Sequence, residues 1–375
     1  MSTDTPPPNL PYVDIARQHG PIKDELLAAV EQVLAHGNFI LGPEVEEFEK
    51  QFCGLVKAPF SIGVNSGTDA LILALRALGI GSGDEVITAA NSFVASASCI
   101  AMVGARPVLV DVGEDYNIDP SATQKAITPL TKAILPVHLT GQPADLDRIS
   151  SIASQYKLFI IEDAAQAVGA TYHGKAVGSI GDVGCFSLHP LKTLNACGDG
   201  GMVVTHDSEV AQKIRLMRNL GLETRENARV WSSNSRLDTI QAAMLLVKLK
   251  YFESWTEQRR KHAEFYRQHL VNIPEIHLPI ELPGTRCVYH TFVIQAEHRD
   301  ELRRYLAKQG IGSQVHYPRP IHLQDTAVSL GYHPGDFPVT ERQARHILSL
   351  PVYPELTEAD LTRIVAAIHD FYGVA

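Results

Sequence analysis

Between residues 60 and 207, short runs rich in β-branched residues alternate with stretches of helical periodicity, and this rhythm leaves few architectures open. The runs are Phe60–Val64, Glu85–Ala89, Pro107–Val112, Ala133–His138, Leu158–Asp163, Val183–Leu188 and Met202–Thr205. Seven strands with helices between them imply a mostly parallel sheet covered on both faces, an α/β fold. One intervening helix, Asp69–Leu78, carries Ala70, Leu71, Ile72, Leu73, Ala74, Leu75 and Ala77. It is apolar almost all round, as a helix between layers should be.

At 375 residues the chain exceeds a typical single core, so a second, smaller domain is expected. Ile22–Ala35 has helical spacing, and a helical pattern from Leu237 to Leu270 runs on without glycine or proline, long enough to leave one domain and enter the next. Beyond it, Tyr289–Ile294 reads as a strand, Arg299–Gln309 as a helix, Gly312–Tyr317 as a strand, and Val339–Ile347 and Glu358–Tyr372 as helices. The expected division is therefore a large α/β domain over residues 10–250 and a small C-terminal α+β domain over residues 251–375. The proline-rich leader Met1–Pro8 reads as frayed.

Charge excludes several classes of function. With 33 basic and 42 acidic residues the net charge is -9, and no long basic run marks a nucleic-acid or anionic-membrane partner. Small-molecule ligands are expected instead. Cys53, Cys99, Cys185, Cys197 and Cys287 are scattered and odd in number, which fits a reducing compartment. The leader has no basic and apolar signal pattern, and no segment is apolar for long enough to span a bilayer, so the expected location is the cytoplasm.

The chemistry is concentrated around Lys192 and Asp163. Asp163 ends the apolar run Leu158-Phe159-Ile160-Ile161, at the edge where open α/β sheets place their ligands. Lys192 follows the next strand and precedes the turn Gly198-Asp199-Gly200-Gly201. A carboxylate can pair with a protonated pyridine nitrogen, and a neutral lysine can attack an aldehyde, which together are what Schiff-base chemistry on pyridoxal phosphate requires. Each residue alone has an ordinary reading, Asp163 as a helix cap and Lys192 as a solvated loop lysine. A phosphate site would decide between them. Gly67 and Thr68, in Asn65-Ser66-Gly67-Thr68-Asp69, stand where a helix N-terminus would aim its amides at an anion, and Ser187 could add a hydroxyl. Phe93 could stack on a planar ring, and Gln166 could donate to a ring hydroxyl; core packing and a helix surface are their alternatives. His138, His189, His316 and His322 form no zinc signature, so no metal is assigned.

The order of these motifs resembles the DegT/DnrJ/EryC1/StrS family of pyridoxal phosphate-dependent sugar aminotransferases, from about Asp14 to the C-terminus. The marks are Gly42-Pro43-Glu44-Val45, Asn65-Ser66-Gly67-Thr68-Asp69-Ala70-Leu71, Gly83-Asp84-Glu85-Val86-Ile87, Pro136-Val137-His138-Leu139 with Gly141-Gln142-Pro143, Glu162-Asp163-Ala164-Ala165-Gln166, Phe186-Ser187 with Lys192, Gly198-Asp199-Gly200-Gly201, and Asn234-Ser235-Arg236-Leu237-Asp238 with Gln241-Ala242-Ala243. The resemblance implies an aspartate aminotransferase-like large domain (fold type I) with a smaller C-terminal domain. It implies that Lys192 holds pyridoxal 5′-phosphate and shuttles the proton, that Asp163 pairs the pyridine nitrogen, that Gln166 meets the ring hydroxyl and that Phe93 stacks on the ring. Gly67, Thr68 and Ser187 would bind the phosphate, with Asn234 from the neighbouring subunit of a homodimer.

The implied reaction moves an amino group from L-glutamate to a keto carbon of a nucleotide-linked sugar. The segment containing His316, Tyr317 and His322 looks most like members that aminate C3, which makes those three residues the expected substrate contacts. The sequence departs from the commonest pattern at Thr140, where tyrosine is usual, at Ser232, where glycine is usual, and on both sides of Lys192. A dehydratase on the same scaffold would have histidine in place of Lys192. A regulatory protein that binds cofactor without turnover is the alternative from another class.

Overall fold

The computed structural model describes residues 10–374. The leader Met1–Pro8 lies outside the described residues. Strands β1 (Phe60–Val64), β2 (Glu85–Ala89), β3 (Arg106–Val110), β4 (Thr131–Leu135), β5 (Phe159–Asp163), β6 (Val183–Ser187) and β7 (Gly201–Thr205) form one sheet in the order β1-β7-β6-β5-β4-β2-β3. Strand β7 is antiparallel to both its neighbours, and the other pairs are parallel. The connection from β6 to β7, residues 188–200, holds no helix and brings the chain back antiparallel, with Lys192 in that loop. All seven runs expected from the sequence are in this sheet.

Helix α1 (Lys23–His36) and helix α2 (Pro43–Val56) precede the sheet, and helix α3 (Gly67–Ala77) follows β1. Ser66 caps α3, its hydroxyl accepting the Asp69 N–H at 3.1 Å. Leu71, Leu73 and Leu75 of α3 pack with Ile62, Leu135, Ile161, Cys185 and Val203 on one face of the sheet. Each fully buried leucine contributes about 1.5–3 kcal/mol. On the other face Phe48 and Phe52 of α2 meet Phe186 and Met202. Both faces are thus covered, as parallel strands require.

The long helix α4 (Thr239–Leu270) runs without a break from this second cluster, through Ala242 and Leu245, to a third, through Tyr266 and Leu270. The third cluster surrounds a small antiparallel sheet of β8 (Ile276–His277), β9 (Phe292–Ala296) and β10 (Ile347–Leu350), flanked by helices α5 (Arg299–Lys308), α6 (Pro338–His346) and α7 (Glu358–Tyr372). Leu10 also packs there.

The structure corrects one expected strand. Gly312–Tyr317 forms only a bridge between Gln314 and Ser349, because Gly312 N–H is taken by Leu10 O at 2.8 Å and His316 turns its ring to the Ser349 hydroxyl at 2.9 Å. The pairing with β9 goes instead to Ile347–Leu350, which the helical pattern ending at Ile347 had concealed.

Candidate active site

The C-terminal ends of β1, β5 and β6 and the start of β7 meet at one edge of the large sheet, with Gly201 opposite both Val64 and Ser187. There they open a cavity of about 440 Å³, within the range of small-ligand sites. Lys192, Asp163, Gly67, Thr68, Ser187, Phe93, Gln166, His316 and Tyr317 all line it. Nine residues chosen from five separate segments of sequence therefore converge on one space.

Asp163 is 4% exposed. Burial raises its carboxyl above the ordinary range, against the opposing pull of the Ser96 hydroxyl, the Ala165 amide and the Lys192 charge. Ser96 donates to Oδ2 at 2.8 Å and Ala165 N–H to Oδ1 at 3.2 Å, so both oxygens are held in place. Beneath it, Glu162 is fully enclosed. Burial alone would raise Glu162, yet the bond from His138 and the amides of Gly181 and Gly178 hold it below the usual carboxylate range. His138 accepts from Ala144 N–H at Nδ1 (3.1 Å), which leaves Nε2 to donate to Glu162 at 2.9 Å. This buried pair pins the strand end that presents Asp163.

Lys192 faces the same space. Desolvation lowers its amine from 10.5 to about 8, with Asp163 pulling the other way. About a tenth of the amine is then neutral at pH 7, far more than for an ordinary lysine, and that is the form that can attack a carbonyl. Gly67 begins α3 directly against Ser187: a Cβ on Gly67 would stand 2.7 Å from Ser187 Cβ. The helix N-terminus and the Ser187 hydroxyl therefore form a close cradle suited to a phosphate. Gln166 accepts the Thr140 N–H through Oε1 at 2.7 Å and points its amide at the Tyr317 hydroxyl at 3.4 Å. Phe93 is 53% exposed, its ring 5.5 Å from that of Tyr317, an open apolar face on the cavity rather than a core side chain. An acid, an amine of lowered basicity, an anion cradle and a flat apolar wall suit pyridoxal phosphate.

A family sequence model places residues 21–369 in the DegT/DnrJ/EryC1/StrS aminotransferase family. The chain belongs to that family. Its members work with pyridoxal 5′-phosphate. The aminotransferase is 42% identical to the dTDP-3-amino-3,4,6-trideoxy-alpha-D-glucose transaminase of Streptomyces venezuelae, over 99% of this chain and 98% of the other. It is 44% identical to a protein of Geobacillus stearothermophilus named "Pleiotropic regulatory protein", over 97% and 99% of the two chains. A crystal structure of S. venezuelae DesV in complex with a ketimine intermediate superposes with a TM-score of 0.96, at 41% identity, covering 99% of this chain and all of that one.

Two expected site residues stand elsewhere. His322 does not line the cavity: its side chain is enclosed, Nε2 meets Glu341 at 3.0 Å and its ring packs edge-on against Phe337. Burial between those two residues leaves it no surface to offer a substrate. Asn234 is exposed in the segment that also holds Trp231, 93% exposed, and within one chain it does not line the cavity. Conversely, Ser96, Tyr12, Arg259, His290 and Thr291 line the cavity without having been singled out from the sequence. Arg259 sits in the charged run Glu257-Gln258-Arg259-Arg260-Lys261, where nothing local distinguishes it from a solvated neighbour. Among the described residues no group of three or more His, Cys, Asp or Glu could hold a metal, and no helix is long and apolar enough to cross a membrane.

Proposed function

We propose that the aminotransferase moves the amino group of L-glutamate to the C3 keto carbon of a nucleotide-linked deoxy sugar, with Lys192 holding the cofactor and carrying the proton. The observation that carries this reading is the pairing, in one cavity, of an amine lowered to about 8 with a doubly hydrogen-bonded Asp163. Bound pyridoxal 5′-phosphate supplies an aldehyde and a conjugated electron sink. Asp163 would receive the ring N–H, with Ser96 and Ala165 keeping its oxygens oriented for it. Gln166 would meet the ring hydroxyl, Phe93 would cover the ring, and Gly67, Thr68 and Ser187 would take the phosphate. Lys192 Nζ, about a tenth of it neutral at pH 7, would accept the proton from the donor's α-carbon in the first half-reaction and give one to the acceptor carbon in the second.

The exposed Asn234 completes the phosphate site of a second copy, which makes the working form a homodimer, soluble in the cytoplasm. His316 and Tyr317 face the sugar. Burial lowers the His316 ring to about 4, with Lys192 adding to the effect, so it meets the sugar uncharged at neutral pH. The preference for C3 is supported by the name of the S. venezuelae relative, a 3-amino sugar transaminase. A dehydratase reading lacks its histidine, since Lys192 occupies that place. A regulator that binds cofactor without turnover would use the same amine, so a glutamate-dependent change in the absorbance spectrum is what separates it from a transaminase. The test is to incubate the holoenzyme with L-glutamate and nucleotide-linked 3-keto and 4-keto sugars and to identify products by mass spectrometry. A 3-amino sugar is expected; a 4-amino product alone overturns the C3 assignment, and an absorbance spectrum unchanged by L-glutamate overturns the transaminase.

A further inference from the structure

Three residues of the cavity wall carry polar atoms that the protein itself leaves without partners. Arg259 Nε, His290 Nδ1 and Thr291 Oγ1 are enclosed and find no hydrogen-bond partner among the described residues, and all three residues line the same cavity as Lys192. Arg259 is 5% exposed and forms no ion pair among the described residues; its one bond, from Nη1 to Val352 O, is long at 3.5 Å. A guanidinium in that position has lost water and gained one long bond in return, a loss that a bound anion would offset. Desolvation lowers it to about 10, with Glu355 and Tyr12 opposing, so it remains a cation at neutral pH. His290 is kept uncharged, chiefly by desolvation and also by the charges of Lys192 and Arg259, so it offers one N–H or one lone pair rather than a second cation. A planar cation beside a hydroxyl and an imidazole is a set of donors matched to a carboxylate.

We propose that Arg259, with Thr291 and His290, binds a carboxylate of the amino donor and so selects an acidic amino acid for the first half of the reaction. This rests on the transaminase reading above. The other anionic substrate, a nucleotide-linked sugar, also brings a diphosphate, but its nucleoside needs room that opens outward. Arg259 is 5% exposed, and Tyr12, near enough to feel its charge, sets its ring 5.6 Å from that of His316. A donor amino acid is small enough to lie wholly inside, and its α-amino group has to reach Lys192 Nζ.

The holoenzymes of the native chain, Arg259→Lys and Arg259→Gln are compared in the two half-reactions separately. For L-glutamate, KM is expected to rise about 10- to 100-fold in Arg259→Gln, the loss of a charged hydrogen-bonding partner, with partial recovery in Arg259→Lys. Reaction with n-propylamine, which has no carboxylate, should be equally fast in all three. Glutarate binding to the holoenzyme, measured by calorimetry, should weaken in parallel with KM for glutamate. An unchanged KM for glutamate overturns the proposal, as does a loss that falls equally on n-propylamine or that appears as a raised KM for the nucleotide sugar. If Arg259→Gln does not fold, Arg259→Lys carries the same comparison. A native enzyme that fails to react with L-glutamate at all refutes the transaminase reading instead, a result distinguishable from any effect of the substitutions.

Discussion

Replacing Lys192 by methionine should stabilise the cofactor-free protein at neutral pH. In the folded chain the amine is lowered from 10.5 to about 8, and that value already contains both the desolvation cost and the attraction of Asp163. At ~1.36 kcal/mol for each pH unit, holding this charge in the cavity costs the folded state about 3 kcal/mol at pH 7. Methionine has nearly the same length and no charge, so it removes the cost. The sign follows from linkage. Between pH 8 and 10.5 the unfolded chain binds the proton that the folded chain has released, so native stability rises with pH across that window. Lys192→Met has no such rise. Urea unfolding of the two apoproteins should therefore show the variant more stable by up to about 3 kcal/mol at pH 7, with the gap closing as pH approaches 10.5. Equal stabilities at pH 7, or a gap that does not change between pH 7 and 10.5, would refute the claim that Lys192 is held at the expense of the fold.

Gly67→Ala places a methyl group 2.7 Å from Ser187 Cβ and should weaken cofactor binding by roughly 10- to 100-fold through overpacking of the phosphate cradle; an absorbance titration that overlays the native one contradicts this. Lys192→Ala and Asn234→Ala homodimers should each be inactive or nearly so, yet subunit exchange between them should restore up to about a quarter of native activity, because half the dimers are mixed and each of those has one intact site. No recovery on mixing would show that Asn234 does not serve a neighbouring site. His322→Ala removes a buried partner of Glu341 and a ring packed on Phe337, so it should cost about 2–4 kcal/mol of stability while KM for the nucleotide sugar stays within about twofold. A large KM change with unchanged stability would return His322 to the substrate site.

What could be read from the chain alone was whatever depends on local periodicity and on residue chemistry in fixed order. The seven strands were legible because most of their residues are apolar and buried in short runs, and α3 because it is apolar almost all round. Lys192, Asp163 and the Gly67–Thr68 turn were legible because each sits at a strand end, the place where an open sheet delivers residues to a ligand. The strand Ile347–Leu350 was hidden because a β-branched and aliphatic tail continues the helical pattern of Pro338–His346, and only the exposed edge of β9 draws it into a sheet.

His322 and Arg259 show the same limit at the site. His322 shares a histidine- and tyrosine-containing segment with His316 and Tyr317, but the 3-10 turn at Ile321–Leu323 points it into Glu341 and Phe337 instead of the cavity. Arg259 is one of several cations on a long helix, and it faces the cavity only because α4 crosses from the large sheet to the small one at that turn. Residue type and order decide what chemistry a side chain can perform. Which side chains share one desolvated space, and hence which amine loses basicity and which guanidinium is left with a single long bond, depends on burial and on contacts between segments far apart in sequence, and these exist only once the chain has folded.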